Sequence, residues 1–193
     1  MDAVVVVSVE RSGTHFAARV CRELTGATGS SWIHGLNGAG PGKIWSTHLY
    51  EHGFSKRSDD VLAHVLGRTG FKRVVPVRHP LRVLISKQEQ GKEPASTLDI
   101  AHGLARMPFV DGHFLQIDVE RELRGAETGR LAEFLGVKPK TVSWKRANPT
   151  PELKHGPLRQ LYQQGEDVTG FFTDELAIIE PVRPFFEEFG YTW

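Results

Sequence analysis

Val4-Val5-Val6-Val7-Ser8-Val9-Glu10-Arg11-Ser12-Gly13-Thr14-His15-Phe16 decides the fold of this chain. A run of valines reads as a parallel strand covered on both faces, where β-branched side chains pack well. A cation, a hydroxyl, a glycine and a second hydroxyl follow. Residues 16–24 then place Phe16, Val20, Cys21 and Leu24 at helical spacing. A strand, a tight polar turn and a helix N-terminus form an anion site, because free backbone N–H groups and the positive dipole end both point at the turn. A Walker A loop would need G-x-x-x-x-G-K-[ST], with its lysine on the phosphates and its hydroxyl on magnesium. Here the first glycine and the Gly-Lys pair are missing, and the cation, Arg11, precedes the glycine. The pattern points to an anion held by an arginine, two hydroxyls and backbone amides, without magnesium.

Outward from this turn, residues 25–43 are rich in Gly, Ser, Thr and Asn and read as a long loop carrying Trp32 and His34. Residues 43–49 predict a second strand, 61–66 a helix, 71–78 a third strand and 81–87 a helix opened by Pro80. A helix over 98–107, a strand over 114–118 and a helix over 120–135, bent near Gly125 and Gly129, follow. Residues 138–157 read as a connecting segment, and 173–189 as a last helix bent at Pro181 and Pro184. This alternation predicts an α/β fold with a central parallel sheet flanked by helices, as a single domain over 1–193.

A formal charge of +1 gives no argument for bulk nucleic-acid binding, so basic residues must act locally. One cysteine excludes an intramolecular disulfide and a Cys-rich metal site. No apolar run approaches the roughly 18 residues needed to span a bilayer, and the valine run lacks the flanks of a signal peptide. The expectation is a soluble, cytoplasmic protein.

A second anion motif lies in the third strand. Arg78 stands at its carboxyl end and Ser86 eight residues on, within the following helix. An arginine fork and a hydroxyl so placed can clasp one phosphate from two sides.

These segments resemble the sulfotransferases that use 3′-phosphoadenosine 5′-phosphosulfate (PAPS). Residues 10–16 resemble the family's 5′-phosphosulfate loop, [KR]-S-G-T-[TS]-[WL]. Residues 75–80, continuing to Ser86, resemble its 3′-phosphate motif. Trp45-Ser46-Thr47-His48-Leu49 resembles the Lys-Thr-His-Leu segment that carries the catalytic base of cytosolic members, and residues 114–118 with 131–137 resemble the "Y-E-D-L … FLG" stretch. The resemblance implies a three-layer P-loop-like fold and PAPS as donor, with no metal. By position, Arg11, Ser12, Gly13, Thr14 and His15 would cradle the 5′-phosphosulfate, and Phe16 would pack on the adenine. Arg78 and Ser86 would hold the 3′-phosphate. His48 would take the proton of the acceptor hydroxyl, and Arg11 would neutralise the leaving phosphate. The C-terminal R-K-G-x-x-G-x-[WF] loop survives loosely around residues 154–159, where Lys154 or Arg159 would cover the 3′-phosphate. Ser46 replaces the lysine of Lys-Thr-His, and His15 the second Thr of the 5′ loop.

The acceptor implied is a hydroxyl on a small molecule, glycan or lipid. Its walls are expected in the 25–43 loop, at Trp32 and Trp45, and in residues 88–97. His34 and His15 are alternative bases to His48. Two other readings stand beside this one. His48-Leu49-Tyr50-Glu51-His52 matches H-x-x-E-H, an inverted zinc-protease signature, which needs both histidines on one helical face. A kinase or a non-catalytic nucleotide-binding module on the same fold is the other.

Overall fold

The computed structural model describes residues 3–32, 42–49, 71–89, 97–144 and 156–193. Its centre is a five-stranded, wholly parallel sheet in the order β2-β3-β1-β4-β5. The strands are β1 (Ala3–Val9), β2 (Gly29–Trp32), β3 (Lys43–Leu49), β4 (Phe71–Val77) and β5 (His113–Gln116). The helices are α1 (Thr14–Thr25), α2 (Pro80–Gln88), α3 (Thr97–Arg106), α4 (Arg124–Leu135), α5 (Pro157–Gln163), α6 (Thr173–Ile179) and α7 (Arg183–Glu187).

β1 is the middle strand, and its valines are buried on both faces. Val4 and Val6 point into a core shared with α1 and α4. Val5, Val7 and Val9 point into the opposite core, built from α2, α3 and the C-terminal helices. Burying each such valine contributes on the order of 1.5–3 kcal/mol. These two cores make the expected three layers.

The chain order explains where a ligand can sit. From β1 the chain crosses to β2 and β3 on one side, then returns to β4 on the other. α1 leaves β1 toward one face, and α2 leaves β4 toward the opposite face. Such a switch point opens a crevice at the carboxyl ends of the two strands, where parallel α/β sheets bind ligands. Both anion motifs of the sequence lie there.

Several sequence expectations are corrected. β2 lies inside the stretch read as a loop, and it pairs with β3 from Gly29↔Lys43 to Trp32↔Ser46. The fourth expected strand ends at Gln116, not Asp118. The expected 120–135 helix is a 3-10 turn over Arg121–Leu123 followed by α4, which runs on through Gly125 and Gly129. The last helix is divided by a 3-10 turn at Glu180–Val182, with Pro181 and Pro184 at the junctions where their missing N–H groups cost least. α5 begins on Pro157, the last residue of the expected connecting segment. The expected 61–66 helix lies outside the described residues, as do Lys154 and His34.

Candidate functional site

The turn between β1 and α1 is built by Ser12. Its backbone N–H and its hydroxyl both donate to the Val9 carbonyl, at 3.1 and 2.7 Å. That side chain is fully buried, so Ser12 braces the turn, and the cradle is left to backbone and neighbours. Arg11 has φ 72° and Gly13 φ 108°, both in the left-handed region. A Cβ on Gly13 would stand 3.1 Å from Ile117 Cγ1, so glycine is favoured by the backbone angle and by a tight space that Ile117 would have to yield. Gly13 is the N-cap of α1 and has no side chain to cap it. The first helical bond runs from Ala17 N–H to Gly13 O at 2.9 Å. The N–H groups of Thr14, His15 and Phe16 therefore precede the helical ladder and face the turn with the positive dipole end.

His48 is the register partner of Ser8 across the β1–β3 pair. Ser8 Oγ lies 3.1 Å from His48 Nδ1, 2.7 Å from Thr14 Oγ1 and 3.2 Å from the Thr47 carbonyl. One buried hydroxyl thus links the anion turn to the imidazole. Burial holds the His48 pKa below the ordinary histidine value, and nearby His15 and Lys87 add to this. Glu10 and the Ser8 carbonyl pull the other way. Burial thus favours the neutral ring. Trp32 lies against it with centroids 4.7 Å apart, and His15 meets Trp32 edge-on at 5.8 Å.

The second motif converges on the first. Arg11 Nε donates to Ser86 Oγ at 3.2 Å, and Arg78 Nη1 donates to the Arg11 carbonyl at 3.2 Å. Asp118 holds Arg78 and Arg82 at 3.6 and 3.2 Å. Lys87 Nζ donates to Glu10 at 2.8 Å, and Arg159 pairs with Glu89 at 3.3 Å. Burial lowers the Arg11 pKa; Glu10 opposes this, and the adjacent Arg159 adds to it. Five cations meet three carboxylates here, a local excess of positive charge that the near-neutral chain total conceals. The structure thus brings Arg11, Arg78, Ser86 and Arg159 together, with the β1–α1 turn beside them.

Phe16 packs on Trp144 with centroids 5.1 Å apart, and the Arg19 guanidinium lies over its ring at 5.5 Å. It thus borders the turn on the α1 side. Trp45, expected at an acceptor wall, is buried in the core with Val5 and Val7. The H-x-x-E-H signature begins on strand β3, not on a helix, and its Tyr50, Glu51 and His52 lie outside the described residues. Sequence reasoning missed Ser8, Lys87 and Asp118. Ser8 carried a usable signal, as the one polar residue in a strand otherwise made of valine and alanine.

No family model, curated protein or solved structure matches the chain.

Proposed function

We propose that the protein binds a nucleotide through an anion turn that uses arginine and backbone amides in place of a Walker lysine. Within that class, we propose a sulfotransferase with PAPS as donor. The observation that carries this reading is the convergence of Arg11, Arg78 and Ser86 at the switch point, with His48 tied to the same turn through Ser8. Thr14, His15 and Phe16 amides with Arg11 would take the 5′-phosphosulfate. Arg78, Ser86 and Arg159 would take the 3′-phosphate, and Phe16 would border the adenine.

In the reaction proposed, the acceptor oxygen forms a bond to sulfur as the bond from sulfur to the 5′-phosphate oxygen breaks. The hydroxyl proton passes to the neutral His48 ring. The charge left on the phosphate falls beside Arg11 and the N-terminus of α1. Such a transfer asks for positioning and charge stabilisation more than for covalent catalysis. A buried histidine held neutral is suited to accept the proton.

Transfer of radiolabelled sulfate from PAPS to a panel of phenol, sugar and lipid alcohols tests the activity. His48→Ala is expected to cut turnover roughly 10²–10⁴-fold while leaving nucleotide affinity unchanged. Equal turnover would remove His48 as the base. A second reading, a nucleotide-binding module without transfer, is favoured by Ser46. It fills the position of the family's lysine and is buried in β3. Tight nucleotide binding with no transfer to any acceptor would select it.

A further inference from the structure

We infer that Ser8 is a positioning residue that fixes His48 as the Nδ1–H tautomer, presents Nε2 as the proton-accepting atom and couples that ring to the anion turn through Thr14. The role given to Nε2 rests on the sulfotransferase reading; the tautomer rests on hydrogen bonds alone. Ser8 Oγ has one proton and three polar neighbours. The Thr47 carbonyl can only accept, so the Ser8 proton goes there. With the Ser8 proton so used, the Thr14 hydroxyl is left as the donor in the 2.7 Å contact. Ser8 then has a lone pair left toward His48, and Nδ1 at 3.1 Å must be the donor. A neutral ring with Nδ1–H has its lone pair on Nε2.

The surroundings agree with this assignment. Trp32 lies across the ring and limits its rotation. Among the described residues, the charged and titratable groups around the ring are Glu10, His15 and Lys87. The lone hydroxyl in the valine strand is thus explained. Ser8 closes the α1-side row of Val4 and Val6, where it meets both Thr14 and His48. A valine there would leave the Thr14 hydroxyl and Nδ1 without this shared partner.

Long-range ¹H–¹⁵N correlation of the imidazoles in ¹⁵N-labelled protein tests the claim directly. It is recorded above the ordinary histidine titration range, with His48 assigned by His48→Asn. The expected spectrum shows a pyrrole-type Nδ1 and a pyridine-type Nε2. Ser8→Ala should shift the ring toward the Nε2–H form that histidine prefers in water. Thr14→Val should leave the tautomer as it is. Ser8→Ala should also lower kcat by roughly ten- to a hundredfold, less than loss of the ring itself, with nucleotide affinity unchanged. A pyridine-type Nδ1 in the wild-type protein would overturn the inference, as would an unaltered tautomer in folded Ser8→Ala. If that variant fails to fold, the wild-type spectrum alone decides. Loss of nucleotide binding would sink the sulfotransferase reading and leave the tautomer standing. The reverse result would do the opposite.

Discussion

Two adjacent parallel strands, β1 and β4, each turn into a helix at the same edge of the sheet, and the two turns treat their helix ends in opposite ways. The β4–α2 turn is closed. His79 is the N-cap, and its Nδ1 accepts from Leu81 N–H at 3.2 Å. Pro80 has no N–H to satisfy. The His79 Nε2–H reaches the Thr192 carbonyl at 3.1 Å, fastening the C-terminal segment over the turn. The β1–α1 turn is open. Its cap is a glycine with no side chain, held with Arg11 at positive φ. Backbone strain of this kind costs of order 1–3 kcal/mol and persists where surrounding structure imposes it. One turn spends its own side chains on its helix; the other keeps its amides for something else. From the closed side, Arg78 donates to the Arg11 carbonyl of the open turn, and Ser86 in α2 accepts from Arg11 Nε.

The largest effect that would break this contrast is Gly13→Ala. The new methyl meets Ile117 at a backbone angle that L-residues rarely adopt, so a loss of roughly 1–3 kcal/mol in urea unfolding is expected. Nucleotide affinity should fall with it, since the amides lose their aim. Wild-type stability in this variant would show that the open turn is not constrained.

Arg78→Ala sharpens the contrast from the other side. It removes the hydrogen bond to the Arg11 carbonyl and the contact with Asp118, and should weaken nucleotide binding by about 1.5–3 kcal/mol. Calorimetry showing unchanged affinity would refute its role. His79→Ala removes the cap and the hydrogen bond to the Thr192 carbonyl and should cost about 1–2 kcal/mol of stability. Nucleotide affinity should hardly move, which separates the closed turn's structural work from the open turn's binding.

The smallest effect concerns pH. His48, His79 and His113 all have folded pKa values below the ordinary 6.5, with burial the leading cause. The unfolded chain therefore takes up protons first as pH falls. The stability from these rings is complete above pH 6.5 and declines as pH drops toward the folded values. Unfolding midpoints that stay flat across this window would contradict the burial of these rings.

The open turn was legible because its signals are local. A valine run, a Gly and a helical spacing lie within a few residues, and β1 folds as they dictate. The order of the strands follows from their alternation with helices only in part. β2 was hidden because Gly29, Ser30 and Ser31 carry no apolar alternation, and the strand exists by pairing with β3. The burial of Trp45 was not legible because it depends on the face that β3 turns to the core. Arg11, Arg78, Ser86 and Arg159 were each nameable, but their convergence is a product of topology. Ser12 was expected in the cradle. Its hydroxyl instead braces the turn, a role that depends on where the Val9 carbonyl points. Ser8 stood in plain sight; its meaning required His48 to be brought beside it by strand pairing.

Calorimetric titration with 3′-phosphoadenosine 5′-phosphate and with ATP, each with and without magnesium, tests the central claim most directly. The account predicts binding of the bisphosphate without magnesium, stronger than that of ATP and weakened by Arg78→Ala. Magnesium-dependent binding of ATP with no binding of the bisphosphate would contradict it.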